Sequence, residues 1–175
     1  MKSQFAADFE AYMPTEFNGE PYGKSGRLSL ANEASINVCV VFPAGVPPGP
    51  RPLNADLLQE AAGEPCILPG CLVNPTMNVK ASDDLKNCIE QGAQTVKLMA
   101  ALHRYRVDST YVAATIEQAT SLGIPATIHF GSPTSGCSPQ YIESLARRHP
   151  DVTIIMDIGL SQMDGASCQI YKRKH

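Results

Sequence analysis

The six cysteines include no Cys-x-x-Cys pair, and the Cys66 to Cys71 spacing matches no zinc knuckle, which removes the commonest cysteine-built metal sites. There is no nucleophile elbow, no P-loop and no dinucleotide fingerprint; Gly63, Gly70 and Gly92 are spaced as turn and cap residues. Basic residues are in no excess, with 14 Lys and Arg against 17 Asp and Glu and a net charge of -3. That balance argues against nucleic acid or anionic lipid as a partner. The one basic run, Lys172, Arg173 and Lys174, reads as a solvated tail. No apolar stretch of signal-peptide length follows Met1–Phe5, and none approaches membrane-spanning length. The expectation is a cytoplasmic protein without a membrane partner.

What is present describes an ordinary globular domain. The chain has 175 residues, 43% hydrophobic and 18% charged, enough for one domain with a core and short for two. Cys39, Cys66 and Cys71 sit inside apolar, strand-like runs, where a reduced cysteine acts as a small hydrophobe. Cys137 falls in a loop, where exposure is open.

One pattern repeats. Short β-branched, apolar runs occur at Ile36–Phe42, Cys66–Val73, Thr95–Met99, Ala126–Phe130 and Val152–Met156, starting roughly every 30 residues, the length of a βα unit. Their apolar positions are consecutive rather than alternating, as for parallel strands covered on both faces. Helices fit between them. One runs from Asn54 to Ala62 and stops at Gly63. Another is capped by Ser82, with Asp83 and Asp84 in its first turn, the stripe Leu85, Cys88, Ile89, and a stop at Gly92. A third opens at Asp108 or Ser109 and ends at Gly123, and a fourth opens at Ser138-Pro139 with Ile142, Leu145 and Ala146 buried. Strands alternating with helices predict a parallel α/β sheet.

The ends depart from the pattern. Val46–Pro52 reads as an extended proline-rich loop, and Pro14–Ser25 as an irregular one. Phe5–Tyr12 alternates, with Asp8, Glu10 and Tyr12 on one side; a strand with a polar face and a frayed terminus both fit. Counting it gives six strands, whereas a closed eight-stranded barrel takes about 250 residues. The predicted architecture is therefore an α/β, parallel (β/α) barrel of TIM type, incomplete, with about six of eight βα units.

Functional groups of such folds gather at the C-terminal ends of the strands. The polar residues there are Asp8, Glu10, Tyr12, Asn74, Lys97, His129 and Asp157. Carboxylates and an imidazole brought together from separate strands suit a divalent ion such as zinc or manganese.

Four segments around these residues carry a family resemblance. Ala34–Pro43 (A-S-I-N-V-C-V-V-F-P) is similar to the helix end and second strand of amidohydrolase-related proteins, and Gly92–Leu98 (G-A-Q-T-V-K-L) to their fourth strand. Gly123–Gly131 (G-I-P-A-T-I-H-F-G) resembles the fifth strand with its metal-binding histidine, and Leu145–Ile155 (L-A-R-R-H-P-D-V-T-I-I) the following helix and sixth strand. The resemblance runs in order from Asp8 to Gly159, so residues 1–159 are taken as the partial barrel and 160–175 as a divergent tail. The family it implies is one of metal-dependent TIM-barrel hydrolases and decarboxylases, whose single divalent ion sits at the barrel mouth. Their first strand carries Asp-x-His-x-His; here Asp8-Phe9-Glu10-Ala11-Tyr12 puts Glu10 and Tyr12 at the histidine positions. Some decarboxylases of the family have a glutamate at the first of these. Asp157 stands before Gly159 where the family often has a histidine, and the sequence ends before the strand that would bring the proton-handling aspartate.

The resemblance thus implies a metal site of Glu10, His129, Asp157 and Asp8, with Lys97 and Asp157 as candidate catalytic residues. Lys97 is either a contact for a substrate carboxylate or a structural partner of Asp157 or Glu10, and the pairing is the reading preferred. His103, His149 and His175 are expected to be solvated, and Asn74-Pro75 to be a turn. The function implied is hydrolysis or decarboxylation of a small carboxylated or cyclic substrate, with homo-oligomers an option. The alternatives are a catalytically inactive relative acting as a self-associating scaffold, and a fragment of a longer reading frame.

Overall fold

In a computed structural model, residues 5–44, 50–77, 81–130 and 136–158 are described. The elements in chain order are β1 (Ala7–Met13), β2 (Glu16–Phe17), β3 (Glu20–Pro21), α1 (Gly23–Glu33), β4 (Val38–Pro43), α2 (Pro50–Ala61) and β5 (Ile67–Val73). They continue with α3 (Ala81–Glu90), β6 (Thr95–Leu98), α4 (Ala100–His103), α5 (Thr110–Ser121), β7 (Ala126–Phe130), α6 (Pro139–Arg148) and β8 (Ile154–Ile158). The main sheet runs β1-β4-β5-β6-β7-β8, every neighbouring pair parallel. It curls into a half-barrel, the incomplete (β/α) barrel that the repeat predicts.

Side chains alternate along these strands between two unlike environments. Outward, Ala11, Met13, Cys39, Val41 and Ile67 pack on Ala31 of α1 and on Leu57 and Ala61 of α2. Further along, Cys71, Val73, Val96, Leu98, Ala126 and Ile128 meet Leu85 and Cys88 of α3, Val112, Ile116 and Ala119 of α5, and Ile142 and Leu145 of α6. Inward, the same strands present Glu10, Tyr12, Thr95, Lys97, Thr127, His129 and Asp157. Thr95 and Thr127 face each other at 3.4 Å, and Thr95 Oγ1 donates to the Pro125 carbonyl at 2.9 Å. Gly70 is required here, because a Cβ would run into the Phe42 ring on the inner face.

Several boundaries differ from the sequence reading, each for a local reason. Phe5–Tyr12 contains a true strand, but its polar residues do not share one side: Glu10 and Tyr12 face inward, whereas a register shift between Asp8 and Ala11 sets Asp8 opposite outward-facing Cys39, bonded by Arg27 of α1. Pro14–Ser25 is not irregular throughout: Asn18 and Gly19 both take positive φ (53° and 82°), the turn that suits a two-residue hairpin, and join β2 to β3. Helix α1 follows. It buries only Ala31 and so shows no periodic stripe, but the Glu60 carboxylate of α2 accepts the Lys24 N–H at 3.0 Å, near the start of α1. Helix α2 begins at Pro50, inside the stretch read as a proline-rich loop, since a first-turn proline forfeits no helical hydrogen bond. Helix α3 starts at Ala81, ahead of Ser82, and α4 is an additional turn after β6. Ser109 and Ser138 stand at N-cap positions without a side-chain cap bond, and Gly63, Gly92 and Gly123 follow helix ends with positive φ.

One open point about a single residue is settled, and one expectation is corrected. Cys137 is fully buried in the outer core, alongside buried Cys39, Cys71 and Cys88 and half-buried Cys66. His103 is not solvated: both ring nitrogens are buried without a partner, and burial lowers its pKa. Asn74 forms the expected turn, accepting from the Thr76 amide and hydroxyl. Residues 45–49 of the proline-rich stretch, and 160–175 with Cys168 and His175, lie outside the described residues. Among the described residues no helix is long and apolar enough to cross a membrane.

One buried amide closes the sheet where pairing stops. The β4–β5 register ends at Val41 opposite Pro69, and beyond it Asn54 of α2 bonds the Leu72 main chain twice, Nδ2–H to O and N–H to Oδ1, both at 2.8 Å. Asn54→Leu orphans both Leu72 groups in a dry site, so urea unfolding should register a loss of about 1–3 kcal/mol for each group left unpaired. A change within 0.5 kcal/mol, the range of an ordinary surface substitution, would show that these bonds are not made.

Candidate functional site

The inner face converges on one ammonium. Lys97 of β6 is fully buried. Its Nζ donates to Glu10 Oε1 at 2.5 Å, to Tyr12 OH at 2.7 Å and to Asp157 Oδ2 at 2.7 Å. An ammonium has three N–H donors and no acceptor, so all its hydrogen-bonding capacity is used. The Tyr12 and Phe42 rings lie 4.8 and 4.7 Å from the same nitrogen, an additional electrostatic attraction. Tyr12 accepts from Lys97 and donates its own hydroxyl hydrogen to Glu10 Oε1 at 2.8 Å. Asp157 Oδ2 also meets His129 Nδ1 at 2.9 Å. Registers explain the meeting: His129 lies opposite Asp157 in the β7–β8 pair, while Lys97 is opposite Thr127 one strand earlier.

The charges respond to one another. Burial opposes ionisation of Asp157, but its bond with His129, the neighbouring Glu10 carboxyl group and the bond from Lys97 outweigh it and hold its pKa well below the ordinary 3.8. For Lys97, burial alone would lower the pKa; bonds to Asp157, Glu10 and Tyr12 win and raise it above 10.5. Glu10 goes the other way, raised from 4.5 by burial and by the neighbouring Asp157 carboxylate despite Lys97 and Tyr12. Burial also raises Tyr12, which therefore stays a neutral phenol.

Of the residues singled out from sequence, Glu10, Tyr12, Lys97, His129 and Asp157 thus come together on one rim of a parallel sheet. Asp8 is held apart from the centre: Arg27 of α1 binds its Oδ2 at 2.9 Å, and its Oδ1 accepts the Glu10 amide at 3.1 Å. Sequence reasoning overlooked Arg27 and Phe42. Arg27 lies on a helix without an apolar stripe, and Phe42 looks like any strand hydrophobe.

Glu10, His129 and Asp157 offer one ligand atom each, all within 4.8 Å of one another, a spacing that a divalent ion can span. The Lys97 ammonium, however, already bonds the carboxylates of two of the three. A divalent ion on these oxygens would stand beside a like-charged ammonium already bonded to them, and like charges at such short range repel. With Lys97 in this position, the three residues do not fit a resident metal.

No protein-family profile and no curated protein matches the chain in sequence. Solved structures do match in fold. A Staphylococcus aureus protein classed as an amidohydrolase superposes with a TM-score of 0.69 at 15% identity, over 87% of this chain and 67% of its own. An Acinetobacter baumannii protein classed as a 2-pyrone-4,6-dicarboxylic acid hydrolase, with citric acid bound, gives 0.60 at 16% over 89% and 58%. A 5-carboxyvanillate decarboxylase from Novosphingobium aromaticivorans, complexed with manganese and a nitrobenzoic acid, gives 0.66 at 12% over 89% and 65%. The chain therefore has the fold of amidohydrolase-type barrels and spans about two thirds or less of these structures. The fold that the sequence resemblance implies is the fold found.

Asp157 also predicts a pH signature. Its folded pKa lies below the unfolded value, so its contribution is complete above pH 3.8 and is lost as pH falls through the folded value. Glu10 contributes with the opposite sign, being favoured below pH 4.5 and losing that contribution as pH rises. The gap in urea midpoint between wild type and Asp157→Asn should therefore be widest near neutrality and narrow below pH 3.8. A gap that stays constant down to pH 2.5, well below the ordinary carboxylate range, would contradict the assignment.

Proposed function

We propose that this rim hydrolyses or decarboxylates a small carboxylated or cyclic substrate, with His129 as the group that moves the proton. The supporting observation is the 2.9 Å bond from His129 Nδ1 to Asp157, on a ring whose side chain is still 31% exposed. Bonded through Nδ1–H to a carboxylate, the imidazole keeps Nε2 as an acceptor at the open side. In ester or lactone hydrolysis, Nε2 takes a proton from water as the water oxygen bonds the carbonyl carbon, then returns it to the leaving oxygen as the C–O bond breaks. In decarboxylation, protonated Nε2 supplies the hydrogen that replaces carbon dioxide, the electron pair of the broken C–C bond forming the new C–H bond. Both reactions need one proton moved at one atom.

Asp157 orients His129 and Lys97 keeps Asp157 ionised, so both act as positioning residues. Asp8 fixes the Glu10 main chain while Arg27 holds it. The carboxylated and pyrone compounds named with the structural neighbours support the substrate class. Zinc or manganese on Glu10, His129 and Asp157 is the metal-loaded form of this reading, supported by the manganese of the carboxyvanillate decarboxylase, and it requires Lys97 to vacate the centre.

The test is an absorbance assay of the purified chain on 2,6-dihydroxybenzoate, 5-carboxyvanillate and 2-pyrone-4,6-dicarboxylate. Turnover of any of these should fall by about 100-fold or more in a folded His129→Gln variant. No turnover of the three, or full turnover by the variant, would refute the reading.

A further inference from the structure

We infer that the Lys97 ammonium is the resident cation of this rim, occupying the place of a divalent ion, so that the site is built to stand without metal. The inference deepens the proposed function and rests on it only for its catalytic consequence.

Geometry is the first support. The nitrogen sits among Glu10, Tyr12 and Asp157 at 2.5 to 2.7 Å, and two of those residues belong to the trio with metal-ligand spacing. Lys97 has no exposed surface, and its three donors are matched by three oxygens, so neither water nor substrate completes its shell. The chemistry of the surrounding groups is the second support. A carboxylate and a phenol oxygen accept hydrogen bonds from an ammonium, whereas neutral imidazoles are the better metal ligands. In the resemblance read from the sequence, Glu10 and Tyr12 stand where the Asp-x-His-x-His pattern would have its two histidines. The replacements that weaken a metal site are those that complete a lysine site. The rings of Tyr12 and Phe42 add a wall that attracts a cation.

The test measures metal directly, apart from turnover. Purified wild-type chain is incubated with excess Zn2+ or Mn2+, desalted and analysed for metal, and its thermal midpoint is recorded with and without the ion. The expectation is less than 0.1 ion per chain and an unchanged midpoint. Lys97→Ala, which removes the ammonium and leaves its acceptors, should gain about one ion per chain and a midpoint that rises with ion concentration. Wild type retaining about one ion per chain would overturn the inference. So would a folded Lys97→Ala that gains none. If the variant does not fold, the wild-type measurement decides by itself, checked by adding Mn2+ to labelled wild type: His129 resonances that stay sharp support the inference, and broadened ones overturn it. A metal-free chain without turnover would sink the proposed function alone; a metal-loaded chain with turnover would sink this inference alone.

Discussion

A single buried ammonium joins the two ends of the sheet. Lys97 stands on β6, yet its three acceptors come from β1 and β8, the first and last strands in the sheet order. Those strands are not neighbours, and only a curled sheet brings both within reach of one lysine. An unpaired charge in a dry interior is costly, so the lysine demands its oxygens and the oxygens demand the lysine. The curvature and the polar interior are two aspects of the same constraint.

That constraint shapes the chemistry left to the rim. Because Lys97 spends all its donors inward, it supplies no contact to a bound molecule. Its effect is exerted through Asp157, which remains ionised and holds His129 by Nδ1 while the ring keeps an open side. Glu10, 29% exposed, His129 and the partly exposed Tyr12 are the members of the network that solvent reaches. The fold matches that of amidohydrolases and decarboxylases, and in this chain a lysine ammonium stands among the carboxylates.

The parallel barrel was legible because each inner strand is a consecutive apolar run and each gap is long enough for a helix. Ala126–Phe130 carries this pattern so plainly that its bounds match the expected ones. Strand ends also pointed to Glu10, Lys97, His129 and Asp157, since parallel sheets place polar groups there. What escaped had no periodic signal: α1 buries one residue, α2 begins on a proline, and the Asn18-Gly19 hairpin has strands of two residues. The role of Tyr12 escaped for another reason. Judged as a metal ligand it is poor, and only the position of Lys97 shows that its hydroxyl relays between an ammonium and a carboxylate.

The central claim is that Lys97 and Asp157 act as one unit across the interior. A double-mutant cycle measures this most directly, with urea unfolding of wild type, Lys97→Met, Asp157→Asn and the double variant. The account predicts that the double variant loses less than the sum of the single losses, by a coupling of about 1–3 kcal/mol. Losses that add to within about 0.5 kcal/mol, the behaviour of sites that share no contact, would contradict it.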